Sequence, residues 1–371
     1  MSVELTLADL SFDGSALKGV KLHCCVDTVH GGPQPDTLEA VIHANAPVEA
    51  QALQEQKVQL YRDGSLIATQ CIKSCTRTGS RDFTLSCRSD MDFLEGKFMG
   101  GIYQNVEPTT LANQILLNRT FHMDSAIMNR KVSGYLPICT RAEALHQMAF
   151  ALGAVVSMDK DGSFFFSDPE RSTPKAIGAG RILSGGTLYT KPGYTKVELV
   201  SHTYTASSQW VELFSKRDYG TEPVTLTFTQ PNAAYAFDDG TLVESGPNCV
   251  TFLPGYATTL RVKPYIHTTA YHTVEEPASD SGFSKVLSVR DVTLVNASNA
   301  QQVLQWLRQR GQNVQQMQVT IMADREQAGQ AVTLPTPWGT TFSGYISKMK
   351  STFTDTSHIA ELTVDGMEET E

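Results

Sequence analysis

The sequence predicts a mainly β protein with α+β insertions. Three observations predict it: apolar and polar residues alternate with period two at both ends of the chain, two helices open with capping-box sequences, and Gly- or Pro-containing turns recur at short spacing. Hydrophobic residues make up 41% of the 371 and charged residues 19%, the composition of a folded protein rather than a disordered, collagen-like or coiled-coil one. A chain of this length accommodates about two to four domains.

Residues 1–91 read as a first small β domain, a barrel or sandwich. Val3-Glu4-Leu5-Thr6-Leu7, Leu38-Glu39-Ala40-Val41-Ile42 and Val58-Gln59-Leu60-Tyr61 each alternate, which half-buries a strand. Phe12-Asp13-Gly14-Ser15, Gly31-Gly32-Pro33 and Arg62-Asp63-Gly64 separate them with turn chemistry.

Residues 92–175 change pattern to a helix–hairpin α+β domain. Glu107-Pro108-Thr109-Thr110-Leu111 opens a short helix with proline where a missing N–H costs nothing, and Leu111 and Ile115 share one face. Thr140-Arg141-Ala142-Glu143 has the form of a capping box, with Leu145, Met148, Ala149 and Leu152 at helical spacing and Gly153 as a left-handed C-cap. Two strands follow, Ala154–Met158 and Ser163–Ser167, joined by Asp159-Lys160-Asp161-Gly162. The helix is expected to pack on this hairpin.

Residues 176–290 read as an irregular β domain punctuated by Gly185-Gly186, Pro192-Gly193, Asp239-Gly240 and Pro254-Gly255. Val197–Val200 and Val224–Phe228 are its clearest strands, and Glu275–Gly282 reads as an exposed polar loop. Residues 291–371 form the last β domain, with one helix. Ser298 and Gln301 suggest a second capping box, Ala300, Val303, Leu304 and Leu307 one apolar face, and Gly311 the stop. Strands resume at Met317–Met322. Val58-x-Leu60 followed by Ile72 matches Val332-x-Leu334 followed by Ile346 at a constant offset of 274. Two readings stand: coincidence between alternating hairpins, or a duplicated β domain.

The net charge of −9 and pI of about 5.5 argue against a basic face gripping phosphates. The longest apolar run, Met148–Val156, is too short to span a bilayer, and no basic-then-apolar secretory signal opens the chain. Seven cysteines, an odd number, fit a protein kept in reducing cytoplasm. No nucleophile elbow, Walker loop, His-Glu-x-x-His or Cys-x-x-Cys pair is present, and Gly178-Ala179-Gly180 lacks the rest of a dinucleotide fingerprint. Cys71 and Cys75 share a strand face, and a closing hairpin could bring Cys71 opposite Cys87. A metal or disulfide is conceivable there, but buried cysteines usually act as small hydrophobes. Cys24 and Cys25 point to opposite faces. His267 and His272 have the wrong spacing for a metal pair on a strand, and His23, His146 and His202 stand alone. Asp159–Gly162 superficially resembles a calcium loop but lacks the closing glutamate, so a hairpin turn with glycine at positive φ is expected. Carboxylates are plentiful, yet nothing singles out a catalytic pair. We therefore assign no catalytic, cofactor-binding or metal-binding residue and no cofactor.

The segment Ser133-Gly134-Tyr135-Leu136-Pro137-Ile138-Cys139-Thr140 through Phe150-Ala151-Leu152-Gly153-Ala154 resembles a stretch in tail proteins of long-tailed phages and prophages. The order of β domain, helix–hairpin domain, irregular β domain and closing β domain is similar to that of the baseplate or tail-tip hub of phage tails and related contractile injection systems. The resemblance implies a non-enzymatic homotrimer whose two tube-protein-like β domains per chain present pseudo-sixfold symmetry. Implied partners are the tail tube or distal tail protein above, spike, fibre or tail-tip proteins below, and the tape measure protein. It further implies a DNA passage without specific nucleic-acid binding, and a location in the virion tail. Some hubs are fused to cell-wall hydrolases; with the final strand hardly finished at Glu371, no appended hydrolase is expected here. A phage-borne cell-wall hydrolase drawing on the unassigned carboxylates is the alternative. A receptor- or carbohydrate-binding tip module using Tyr256, Tyr265 and Tyr271 is a second.

Overall fold

The computed structural model describes residues 2–7, 10–27, 32–45, 53–168, 173–190, 193–275, 285–312, 314–354 and 356–369. The N-terminal β unit holds β1 (Val3–Leu7), β2 (Leu10–Asp13), β3 (Leu17–Cys25), β4 (Thr37–His43), β5 (Lys57–Arg62), β6 (Ser65–Arg77) and β7 (Asp82–Arg88). The alternation decides which side chains enter the core. Leu38, Ala40 and Ile42 are buried while Glu39 and Val41 face outward. Between β5 and β6, Asp63 and Gly64 both have positive φ (48° and 73°), matching the two-residue hairpin turn that suits the twist of its strands. Of the turn expected at 31–33, Gly31 lies outside the described residues.

The α+β part comprises β8 (Lys97–Phe98), β9 (Gly101–Val106), α1 (Pro108–Leu116), β10 (Phe121–Met123), α2 (Ser125–Met128), β11 (Val132–Leu136), β12 (Cys139–Thr140), α3 (Arg141–Leu152), β13 (Val155–Met158) and β14 (Phe164–Ser167). The capping box opens α3. The Glu143 amide donates to Thr140 Oγ1 at 3.1 Å, and the Thr140 amide donates to Glu143 Oε2 at 2.8 Å. Gly153 closes the helix at φ 60°. Leu145, Met148, Ala149 and Leu152 are fully or almost fully buried, in one cluster with Leu111 and Ile115 of α1 and Val156, Phe164 and Phe166 of the hairpin. The Asp159–Gly162 segment is a hairpin turn: the Gly162 amide donates to the Asp159 carbonyl at 2.9 Å, and Gly162 has φ 83°.

β15 (Lys175–Ala176) and β16 (Ile182–Thr190) precede the central strands β17 (Lys196–Ala206), β18 (Val211–Arg217), β19 (Val224–Thr227), β20 (Asn232–Gly246), β21 (Cys249–Glu275) and β22 (Val286–Val289). The 27-residue β21 is the spine of this region, pairing with β18, β19 and β20 along its first part and with β17 along its second. The polar loop expected at 275–282 lies, beyond Glu275, outside the described residues, as does Pro192 of the 192–193 turn. The chain ends with α4 (Ala300–Gln312), β23 (Gln315–Met322), β24 (Ala331–Pro335), β25 (Thr341–Phe353) and β26 (His358–Glu369).

Two details of α4 depart from expectation. Its cap is built two residues earlier than the Ser298/Gln301 pair suggests. Asn296 Oδ1 accepts the Ser298 amide at 2.8 Å and the Ser298 hydroxyl at 2.5 Å, while Asn299 Oδ1 accepts the Asn296 amide at 2.8 Å. The reciprocal pair is thus Asn296 and Asn299, with Ser298 inside the first turn. Nor does Gly311 stop the helix, which runs to Gln312. A Cβ on residue 311 would stand 3.0 Å from Cδ2 of Tyr194, so the glycine leaves room for a ring rather than ending a helix. The expected apolar face is present: Ala300, Val303, Leu304 and Leu307 are buried with Val197 and Leu199 of β17.

Candidate functional site

The feature that organises the molecule is an edge-to-edge join. β25 pairs antiparallel with β3, from Lys348 opposite Cys25 to Phe353 opposite Val20. It fuses both ends of the chain into one 13-stranded sheet, ordered β16-β23-β26-β25-β3-β4-β7-β6-β5-β1-β2, with β24 on β25 and β15 on β24. β15, which straddles the boundary drawn at 175/176, and β16, which sequence spacing groups with the irregular segment, belong to this sheet through β24 and β23.

The two halves of that sheet repeat one another. Strand order β3-β4-β7-β6-β5 corresponds to β16-β23-β26-β25-β24. Val58 lies opposite Gln70 and Leu60 opposite Ala68; in the second unit Val332 lies opposite Gly344 and Leu334 opposite Phe342. Ile72 faces Cys87, and Ile346 faces Val364. Each pair is followed by a bulge, at Lys73 and at Ser347, before Ser74 meets Ser86 and Lys348 meets Thr363. Glu55 and Gly329 both turn at positive φ (64° and 85°) and donate their amides to the carbonyls of Ile72 and Ile346. A shared register, bulge and left-handed residue decide the open question of the 274-residue offset in favour of duplication, because coincident alternation would not reproduce a bulge.

The join presents a polar face. Lys21 lies directly opposite Glu39, and Lys350 opposite Glu361, all four exposed, so neighbouring strands offset each other's charge. His23 faces Lys350; burial, then the charges of Lys350 and Lys348, lower its pKa and favour the neutral ring. The opposite side is tied by buried polar groups. Glu326 Oε1 and Oε2 accept from Arg181 Nη2 at 2.9 and 2.8 Å, and Lys175 Nζ lies 2.9 Å from Oε1. Burial pushes this carboxyl up, but the hydrogen bonds from Lys175, the Asp324 amide and Arg181 outweigh it and hold the group below its ordinary range. Asp36, buried nearby among Cys24, Gln70 and His358, is raised by burial to about 7 despite hydrogen bonds from Cys24 and the Cys25 backbone.

The residues singled out by sequence are dispersed. Cys71 sits opposite Arg88, not Cys87, because the β6–β7 turn sets Thr76 against Thr84; the bulge at Lys73 then places Ile72 against Cys87. Cys71, Cys75 and Cys87 are free thiols, and burial raises the pKa of each, that of Cys87 to about 12. No group of three or more His, Cys, Asp or Glu side chains is arranged to hold a metal among the described residues. His267 and His272 do take different partners, His202 at 3.0 Å and the Ser201 hydroxyl at 2.8 Å. His202 is therefore not solitary: it stacks on His267, which stacks on Tyr204 at 4.6 Å, a contact across 65 residues that no local pattern reveals. Tyr256 and Tyr271 are exposed at 90% and 69%, while Tyr265 is half-buried. No helix among the described residues is long and apolar enough to cross a membrane.

The Gly134-Tyr135-Leu136-Pro137 element ties the α+β part to the segment between β22 and α4. Gly134 has φ 139°, and a Cβ there would lie 2.5 Å from the Thr293 carbonyl oxygen. The Thr293 hydroxyl donates to the Tyr135 carbonyl, and its amide donates to Gln147 Oε1 at 3.1 Å. Leu136 is fully buried.

No family model matches the chain, and no curated protein does. Solved structures do. The 43 kDa tail protein of prophage MuSo2 from Shewanella oneidensis superposes with a TM-score of 0.59 at 13% identity, covering 98% of each chain. The chain has the fold of phage tail proteins. A tail protein from Neisseria meningitidis MC58 superposes with a TM-score of 0.56 at 12% identity, over 98% of this chain and 96% of that one. Prophage tail protein gp18 from Listeria monocytogenes EGD-e gives 0.54 at 9% identity, over 100% and 96%. The tail-protein fold thus takes in both repeats, the α+β part and the central strands together.

Proposed function

We propose that the chain is a structural, non-enzymatic hub of a phage or phage-like tail. Three copies form a ring in which six β units face the tail tube or distal tail protein, while true threefold symmetry meets the spike, fibre or tip proteins. The ring leaves a passage for DNA and resides in the virion tail, having assembled in the host cytoplasm. The observation that carries this reading is the duplication: two units of one strand order, sharing register and bulges, joined edge to edge in a single sheet. An adaptor between sixfold and threefold partners requires two similar surfaces per chain, which the repeat supplies. The likeness of the fold to prophage tail proteins supports the same reading.

Mass photometry together with class-averaged electron micrographs of the purified protein tests it. Three chains in a ring with a central opening, alone or with tube or spike proteins, is the expected result. A stable monomer that joins neither would overturn it.

A further inference from the structure

Among the described residues, β16 and the outer part of β6 are unpaired edges of the shared sheet, as β2 and β15 also are. β16 is bonded to β23 alone, and the outer part of β6, beyond the bulge at Lys73, to β7 alone. These edges are the counterparts of the two strands that pair inside the chain. β6 corresponds to β25 through the shared register and bulge described above. β16 corresponds to β3: Leu17 faces Ile42 and, after a skipped residue, Gly19 faces Val41, just as Ile182 faces Ile321 and, after a skipped residue, Ser184 faces Thr320. One further bulge at Gly186 then aligns Leu22, His23 and Cys24 with Leu188, Tyr189 and Thr190.

The free edge of β16 is also unusually apolar for exposed backbone, with Leu183 and Tyr189 exposed at 48% and 49%. Leu22, covered by β25, is 6% exposed, whereas its counterpart Leu188 remains half-exposed. An unpaired edge of this kind invites another strand, and natural sheets otherwise blunt it.

We propose that β16 of one chain pairs antiparallel with the outer part of β6 of the next, continuing the sheet from chain to chain. The occupant of each edge is a second copy of this chain, because the within-chain join already shows that the two strand types fit. Transferring its register places Cys75, Thr76 and Arg77 opposite Thr190, Tyr189 and Leu188 of the partner subunit. The contact uses two different surfaces, so it runs head to tail and generates a ring where the rotation closes. It rests on the ring reading above and names the contact that would close it.

Disulfide trapping tests the register. Residues opposite each other in an antiparallel pair alternate between Cα separations of about 5.5 and about 4.5 Å, both within reach of a disulfide. Thr190→Cys would face native Cys75, and Thr76→Cys with Tyr189→Cys samples the neighbouring pair; the substituted positions are exposed, so melting temperatures should match the parent. On oxidation at least one of these proteins should run as a covalent trimer on a non-reducing gel. Cys75→Ser in the Thr190→Cys background should abolish that bridge, and Thr187→Cys, three residues out of register with Cys75, should not form it. A protein with the mass of three chains that yields no bridge, or bridges equally in the out-of-register control, overturns this contact and leaves the ring reading standing. Covalent ladders beyond three chains support the contact and overturn the closed ring. A monomer at every concentration overturns both.

Discussion

Arg62, at the end of β5, reaches across the join to His358 of the second repeat, its Nη1 2.8 Å from the imidazole Nδ1 and 3.0 Å from the Ala323 carbonyl. A guanidinium can only donate, so Nδ1 must accept. The ring proton therefore sits on Nε2, 3.0 Å from the Ser351 hydroxyl. His358 is buried and stacks on Phe353 at 4.1 Å. The neutral imidazole is thus built into the tie between the repeats.

Stability across that tie should fall with acid. Burial first, then Arg62, lowers His358 from 6.5 to about 4. Between those values the unfolded chain binds a proton that the folded chain does not, so stability is fully present above about pH 6.5 and is lost as pH falls towards 4. The full difference is worth about 3 kcal/mol. Thermal melts from pH 7.5 to 4.5 should show His358→Gln, which keeps a neutral acceptor, losing less melting temperature than the parent. Parallel losses in both proteins would show that His358 does not govern the acid limit.

The core of α3 gives a second measurable expectation. Leu145 is fully buried between α1 and the β13–β14 hairpin, so Leu145→Ala loses transfer energy and leaves a cavity, at about 2–5 kcal/mol. Thr140→Ala removes one half of the reciprocal cap and should cost about 1 kcal/mol. Denaturant titration should rank the two in that order.

Much of this was legible because it is local. The alternation at Leu38–Ile42, the box at Thr140 and Glu143, and the glycine at 153 depend on neighbours within four residues, and each sits where the pattern puts it. The duplication was half legible: Val58, Leu60 and Ile72 gave the offset, but the proof lies in bulges that only pairing partners define. The join of β3 to β25 left no trace in sequence, since it rests on backbone hydrogen bonds between segments more than 300 residues apart. Residues 182–190 escaped for a related reason. Their Gly185-Gly186 pair, read as punctuation, is bulged strand in which both φ values are positive, 102° and 98°.

Gly134 should be intolerant of any side chain. Its φ of 139° disfavours L residues, and a Cβ would strike the Thr293 carbonyl and come within 2.9 Å of the Leu294 Cα, backbone that cannot swing aside. Gly134→Ala should cost about 3 kcal/mol or more, combining strain with the clash. Gly178, by contrast, has φ −68° and nothing within 4 Å of a Cβ, so Gly178→Ala should stay within about 0.5 kcal/mol of the parent. Equal melting temperatures for the two variants would show that the 134–137 element is not held by Thr293.

A hub through which a genome passes must not hold it. Each phosphate neutralised by an unopposed lysine or arginine adds salt-dependent affinity, and several would make the passage adhesive. On the polar face of the join, Lys21 lies opposite Glu39 and Lys350 opposite Glu361, so these two lysines are matched across strands, while Lys348 faces Thr363. The whole chain carries 39 acidic against 30 basic residues. Mobility shifts with double-stranded DNA at physiological salt should therefore show no binding by the parent protein. Glu39→Lys with Glu361→Lys strips both lysines of their opposing carboxylates and adds two cations per chain, so this variant should acquire binding that weakens steeply with salt. Tight, salt-sensitive binding by the parent would contradict the proposed DNA passage and point to a DNA-handling role. If the variant binds no better than the parent, the face between β3 and β25 is not the one that meets DNA.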